Sequence, residues 1–247
     1  MNAGKGTILW LTGWSFAASL FDPLREQLPE WRHAAAPYHD ADAPERFLEL
    51  AAQAARSIRE AGEGRLLVAG WSLGGLSALR LAAEEEVDGL VLLSATAKFV
   101  RAIEEGKLGW PERHVRRMDA ELHRNREAAE ERFRGTLLTD EERASGYDAL
   151  LPPSGGWTAG ALAAGLELLR QEDCRALLGA VACPALVVHG SLDTVCPIGA
   201  ADELVQSLPR AAPHIMDKSG HVPFLGREKE FGETIRRWWN ERQLERD

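Results

Sequence analysis

The stretch RLLVAGWSLGG (Arg65 to Gly75) is followed by LSALRLAAEEE (Leu76 to Glu86). A short apolar run gives way to a turn of small residues and then to a helical pattern. One serine, Ser72, sits at the junction. A serine in a strained turn tolerates only small neighbours, so Gly70 and Gly74 supply room and Gly75 lets the helix approach the strand. Such a turn lifts the hydroxyl above the strand ends. It also aims the Leu73 N–H, at a helix N-terminus, towards developing negative charge. Strand, G-x-S-x-G turn and helix together describe a nucleophile elbow.

Working outward, short apolar runs alternate with helical patterns. Strands are expected at Thr7–Leu11, His33–Ala36, Arg65–Ala69, Gly89–Leu93, Ala185–His189 and His214–Asp217. Several are continuously apolar, as in a parallel sheet covered on both faces. Helices are expected at Ser19–Gln27, Pro44–Ala61, Leu73–Glu86, Gly199–Ser207 and Glu228–Arg242; in the second, Phe47, Leu50, Ala51, Ala54 and Ile58 recur at three and four. The alternation predicts an α/β fold with a mostly parallel, doubly wound sheet of about six strands. From Lys98 to Val181 the rhythm stops: this part is charged, helical in pattern and interrupted by PPSGG (Pro152 to Gly156). The expected organisation is a core of residues 1–97 and 182–247 with a helical cap inserted at 98–181.

A serine hydroxyl needs a base to become a nucleophile. In an elbow-bearing sheet the acid follows a later strand and the histidine comes near the C-terminus. ALVVH runs into Gly190-Ser191-Leu192-Asp193, and HIMD runs into Lys218-Ser219-Gly220-His221. Both residues fall past the carboxyl ends of strands, where sites of open α/β sheets assemble. Ser72, His221 and Asp193 are therefore the expected nucleophile, general base and orienting acid. A second oxyanion donor is expected from the loop after the first strand, Thr12-Gly13-Trp14-Ser15, with Trp14 the candidate beside Leu73.

The bulk composition limits the alternatives. The chain has 247 residues, 45% hydrophobic and 27% charged, which suits one folded domain with an inserted lobe. Its net charge of -9 argues against generic binding to nucleic acid or anionic membranes. Cys174, Cys183 and Cys196 form no CxxC or zinc pattern, and His33, His39, His114, His123, His189 and His214 show no metal spacing. No metal or cofactor is expected. The apolar run after Lys5 is broken at Thr12, Gly13 and Ser15, and cleavage there would delete part of the site. A cytoplasmic monomer is the expectation.

GWSLGGL, the Gly13-Trp14 pair, GLELL (Gly165 to Leu169), Gly190-x-Leu192-Asp193 and GHVPF (Gly220 to Phe224) together resemble one α/β-hydrolase family, the pimeloyl-[acyl-carrier-protein] methyl ester esterases of biotin synthesis. The likeness runs from about Ile8 to the C-terminal helix. It implies hydrolysis of a methyl ester on a carrier-borne acyl chain. It implies that Trp71 and Leu73 flank the ester, and that Arg132-Phe133 meet the acyl chain and acyl carrier protein. The chain departs from the family at Thr12-Gly13, where His-Gly is usual, and at APYHDADAP (Ala36 to Pro44), where a glycine-rich turn is usual. No opening hairpin is expected ahead of Thr7.

The cap carries its own signal. On one continuous helix through PERHVRRMDAELHRNR (Pro111 to Arg126), Arg113, Arg117 and Arg124 share a face and Arg116 lies close by. Such a stripe suits docking of an acidic partner. Two other readings stay open: a carboxylesterase, lactonase or related hydrolase of small free substrates, and a non-catalytic binding protein on the same fold.

Overall fold

The computed structural model describes residues 5–62, 64–153 and 156–244; Ser154 and Gly155 of the PPSGG interruption lie outside them. In chain order the first half runs β1 (Gly6–Leu11), α1 (Asp22–Glu26), β2 (Arg32–Ala35), α2 (Pro44–Glu60), β3 (Arg65–Trp71), α3 (Leu73–Glu84) and β4 (Gly89–Leu93). Two-residue strands β5 (Val100–Arg101) and β6 (Trp110–Pro111) follow, then α4 (Glu112–Arg124), α5 (Arg126–Arg134), α6 (Asp140–Ala144) and α7 (Ala159–Gln171). The chain ends with β7 (Ala185–Gly190), α8 (Ile198–Ser207), β8 (Ala211–Met216) and α9 (Glu228–Leu244).

Six strands form one sheet in the order β2-β1-β3-β4-β7-β8, with every neighbouring pair parallel. β1, β4 and β7 are buried along their whole length, and β3 from Leu66 onward. Helices therefore cover both faces: α1 packs with α9, and α2 packs with α3. In α2 the residues Phe47, Leu50, Ala51 and Ile58 face the core as expected, joined by Ala55, while Ala54 is only half buried. Each such large side chain contributes about 1.5–3 kcal/mol of burial.

Most expected ends shift by a residue or two, and three larger differences from the sequence reading have a physical reason. The single helix expected over Ser19–Gln27 is a 3-10 turn at Ala18–Phe21 followed by α1, because Pro23 offers no N–H to continue a helix begun earlier. β8 starts at Ala211 rather than after Pro213; the proline is tolerated because β8 is an edge strand. β5 and β6 lie where no strand was expected, being too short to show a period.

Helices α4 to α7 lie between β4 and β7 in the chain. Lys98 and Asp173 form an antiparallel bridge and a 3.0 Å ion pair, joining the two ends of this insertion. Because the sheet is parallel, the carboxyl ends of β1, β3, β7 and β8 share one edge.

Candidate active site

Ser72 follows β3 directly and precedes α3, with φ 55° and ψ −117°. A non-glycine residue held there costs about 1–3 kcal/mol, which the surrounding packing must offset. The fit around it is close. A Cβ on Gly70 would lie 2.4 Å from the Gly74 carbonyl oxygen, and one on Gly74 would lie 2.1 Å from that of Leu11. The Ser72 N–H donates to Leu93 O at 3.0 Å, tying the turn to β4.

The loops after β7 and β8 bring the partners. His221 Nε2 lies 2.8 Å from Ser72 Oγ, and His221 Nδ1 lies 2.8 Å from Asp193 Oδ2. An ionised Asp193 accepts only, so Nδ1 carries the proton and the Ser72 hydroxyl donates to Nε2. Asp193 Oδ1 accepts from the Val195 and Cys196 N–H groups at 2.8 and 2.9 Å. Burial alone would raise the Asp193 carboxyl. The charge and hydrogen bond of His221, with His189 and the Cys196 N–H, outweigh it and hold the group below the ordinary carboxylate range. Ser72 and Asp193 are each 6% exposed and His221 is fully buried. Such a relay can remove the serine proton as the oxygen attacks.

Two further residues support this relay. His189, given no role by the sequence reading, is the penultimate residue of β7, with Nε2 at 2.6 Å from Cys196 O and 3.5 Å from Asp193 Oδ2. Its N–H thereby holds the turn whose amides bind Asp193. Burial pushes the His189 imidazole below the ordinary histidine range. The only sequence signal was its position four residues before Asp193. The second is Trp71, which the resemblance sets beside the ester. It is fully buried among Phe16, Phe224 and His221, and its indole N–H donates to the His221 carbonyl at 2.8 Å. Its ring lies 5.5 Å from the His221 imidazole, centroid to centroid.

The loop after β1 packs against the elbow: a Cβ on Gly13 would lie 2.7 Å from the Trp71 ring and 3.2 Å from Ser72 Cβ. The Leu73 N–H opens α3 and has no helical acceptor. Among the described residues no main-chain acceptor takes the Trp14 N–H. Both expected donors thus flank the serine turn with their amides uncommitted to the backbone. The Trp14 side chain points into the insertion, its Nε1–H donating to Leu162 O at 2.7 Å and its ring edge-on to Phe133 at 5.2 Å.

Phe133 also lines a groove of about 270 Å³ with Trp110, Arg117, Met118, Glu121 and Arg132. One wall is tied to the loop that carries Asp193, since Trp110 Nε1–H donates to Thr194 O at 2.9 Å. Arg132 is half exposed and pairs with Glu121 at 2.8 Å. Arg113, Arg116, Arg117 and Arg124 all lie on α4 and are exposed. Arg116 is partnered by Glu112 at 2.8 Å, whereas among the described residues no carboxylate lies within 4.0 Å of Arg113 or Arg117. Also among the described residues, no cluster of His, Cys, Asp and Glu is arranged to hold a metal, and no helix is long and apolar enough to cross a membrane.

The comparisons with known proteins agree with this fold. The family model of the alpha/beta hydrolase fold matches residues 26–228. Pimeloyl-[acyl-carrier protein] methyl ester esterase of Nitrosomonas europaea is 32% identical over 251 aligned positions, covering 93% of this chain and 94% of that protein. The same-named protein of Shewanella sp. (strain MR-7) is 30% identical, covering 95% and 91%. The likeness expected from the motifs is therefore found across almost the whole chain. In structure, the esterase of Exiguobacterium antarcticum superposes with TM-score 0.77 at 20% identity, covering 95% of this chain and 92% of that one. The enol-lactonase of Burkholderia xenovorans LB400 gives TM-score 0.79 at 17% identity, covering 96% and 92%, a likeness of fold alone. The chain belongs to the alpha/beta hydrolase fold family.

Proposed function

We propose that this enzyme hydrolyses the methyl ester of a pimeloyl chain carried on acyl carrier protein, through a Ser72 acyl-enzyme. The enzyme is a carboxylic ester hydrolase. The observation that carries the mechanism is the continuous Ser72–His221–Asp193 relay, with both hydrogen bonds at 2.8 Å. The choice of ester rests on the relatives' shared name.

Ser72 Oγ attacks the ester carbonyl carbon while His221 Nε2 takes the hydroxyl proton. The carbonyl oxygen becomes an oxyanion facing the Leu73 and Trp14 N–H groups. Losing one such donor typically costs about 3–4 kcal/mol of barrier. As the tetrahedral species collapses, His221 returns the proton to the methoxy oxygen, and methanol leaves. Water then attacks the acyl-enzyme carbonyl as His221 takes its proton. Collapse returns that proton to Ser72 Oγ and frees the carboxylic acid. Asp193 keeps the imidazole in the reacting tautomer and stabilises its charged form.

In this reading residues 98–181 act as a cap on the core of residues 1–97 and 182–247. Phe133 and Arg132 border the acyl path, and the α4 arginines receive the acidic carrier, in the cytoplasm. One observation favours the second reading, a hydrolase of small free esters or lactones: Ser72 is only 6% exposed. The deciding experiment offers the purified enzyme pimeloyl-carrier methyl ester and the free methyl ester in parallel, with Ser72→Ala as control. Preference for the carrier-bound ester, lost in Ser72→Ala, is expected. Turnover of the free ester alone would leave the small-substrate reading.

A further inference from the structure

We propose that Glu130 of α5 is a positioning residue for the oxyanion loop: a cap carboxylate that holds Ser15, and with it the neighbouring Trp14 N–H, in place. The proposal rests on the reading of Trp14 as the second oxyanion donor. Ser15 Oγ donates to Glu130 Oε1 across 115 residues of chain, and both residues are buried, at 1% and 4% exposure. The second carboxylate oxygen accepts from Arg126 Nε at 2.8 Å, one turn back on the same helix. A buried carboxylate without such a partner would be strongly destabilising, so the ion pair makes Glu130 a tenable acceptor at that depth.

The backbone beside the donor needs such a holder. Ser15 sits at φ 69°, in the left-handed region that a non-glycine residue keeps only when its surroundings over-determine it. The Trp14 side chain is anchored to the same lobe, through Leu162 O on α7 and Phe133 on α5. Three side-chain anchors of this loop thus come from the insertion rather than from the sheet. The first donor, Leu73, is fixed by the start of α3 and owes nothing to these contacts. An oxyanion donor acts only within about 2.7–3.1 Å of the developing charge, so sub-ångström release of the loop weakens it. The cap in this arrangement completes the catalytic machinery as well as covering it.

The test uses the full-length enzyme, a p-nitrophenyl ester and an alkyl trifluoromethyl ketone, which forms a tetrahedral adduct with an active serine. Ser15→Gly keeps the left-handed backbone and removes the hydroxyl. Glu130→Leu removes the acceptor, and Glu130→Gln keeps an acceptor oxygen while losing the charge. We expect Ser15→Gly and Glu130→Leu to lower kcat roughly ten- to hundredfold, a fraction of the loss of a whole donor. KM should stay within about twofold, ketone affinity should fall in parallel with kcat, and Glu130→Gln should recover most of the loss. Should Glu130→Leu not fold, Ser15→Gly decides, because it leaves the Glu130–Arg126 pair intact. A folded Ser15→Gly with wild-type kcat and ketone affinity overturns the proposal, as does a change confined to KM or to melting temperature. If the wild type neither turns over the ester nor binds the ketone, the underlying hydrolase reading falls, and the proposal with it.

Discussion

At the scale of single residues, the site depends on groups that never meet substrate. His189 is fully buried against Asp193 and His221, and burial holds its imidazole below the ordinary histidine range. In the unfolded chain it titrates near 6.5. On acidification the unfolded state therefore binds this proton first. The stability that His189 contributes is complete above about pH 6.5 and declines below it, by up to about 1.4 kcal/mol per pH unit. Asp193, also held below its ordinary range, adds a loss of the same sign at lower pH. His189→Gln should flatten the decline between pH 6.5 and 5 in urea titrations, since His33 and His214, whose pKa values burial also lowers, remain in both proteins. Parallel slopes would show that His189 does not carry this linkage. The contrast with Ser72, Asp193 and His221 explains what could be read from sequence. Those three sit in a fixed chain order past strand ends, where local pattern announces them. His189 and Trp71 act through backbone groups, the carbonyls of Cys196 and His221, and a carbonyl leaves no mark in a sequence.

Among the elements, strands and long helices were legible because their apolar residues repeat with the period of the structure. Short pieces were not, and α6 is the consequential case. Its five residues begin with a capping box in which Glu142 reaches back to the Thr139 N–H at 2.9 Å. That local signature was readable in principle. The Glu142 carboxylate also accepts from both sides of His221: from Ser219 Oγ at 2.8 Å and the Gly220 N–H at 3.1 Å before it, and from Arg227 Nη1 at 3.0 Å after it. The His221 N–H donates to Leu137 O at 2.7 Å in the same segment. The insertion therefore seats the histidine loop, although nearly eighty residues separate Glu142 from Ser219. Glu142→Ala strands several donors and half-buried Arg227 at once. We expect a loss of about 3 kcal/mol, which for a chain of this size lowers Tm by roughly 6–12 °C in calorimetry. A shift under about 2 °C would mean that the loop is held by Leu137 and packing alone.

Over the whole molecule, charge sets the terms on which a partner arrives. The chain carries 38 acidic against 29 basic residues, a net charge of -9, so its average field repels an acidic carrier. Composition made that repulsion plain, and helical spacing made the compensating stripe plain. What neither revealed was which arginines are already neutralised. Arg116 is paired with Glu112, while Arg113 and Arg117 point to solvent from α4 with no carboxylate within 4.0 Å among the described residues. Arg117 also lines the groove shared with Phe133. Under the proposed function, encounter with an acidic carrier would concentrate on this face, with the Debye length as its range, about 10 Å at 0.1 M salt. Reversing Arg113, Arg117 and Arg124 to glutamate should lower kcat/KM on the carrier-bound ester by roughly tenfold or more at low salt. The same variant should turn over a small neutral ester at the wild-type rate, because none of the three touches Ser72, His221 or Asp193. Raising salt to about 0.5 M should narrow the gap on the carrier-bound ester, since screening removes attraction and repulsion alike. Equal losses on both substrates would locate the damage in the fold of α4. An unchanged rate on the carrier-bound ester would move docking to another face.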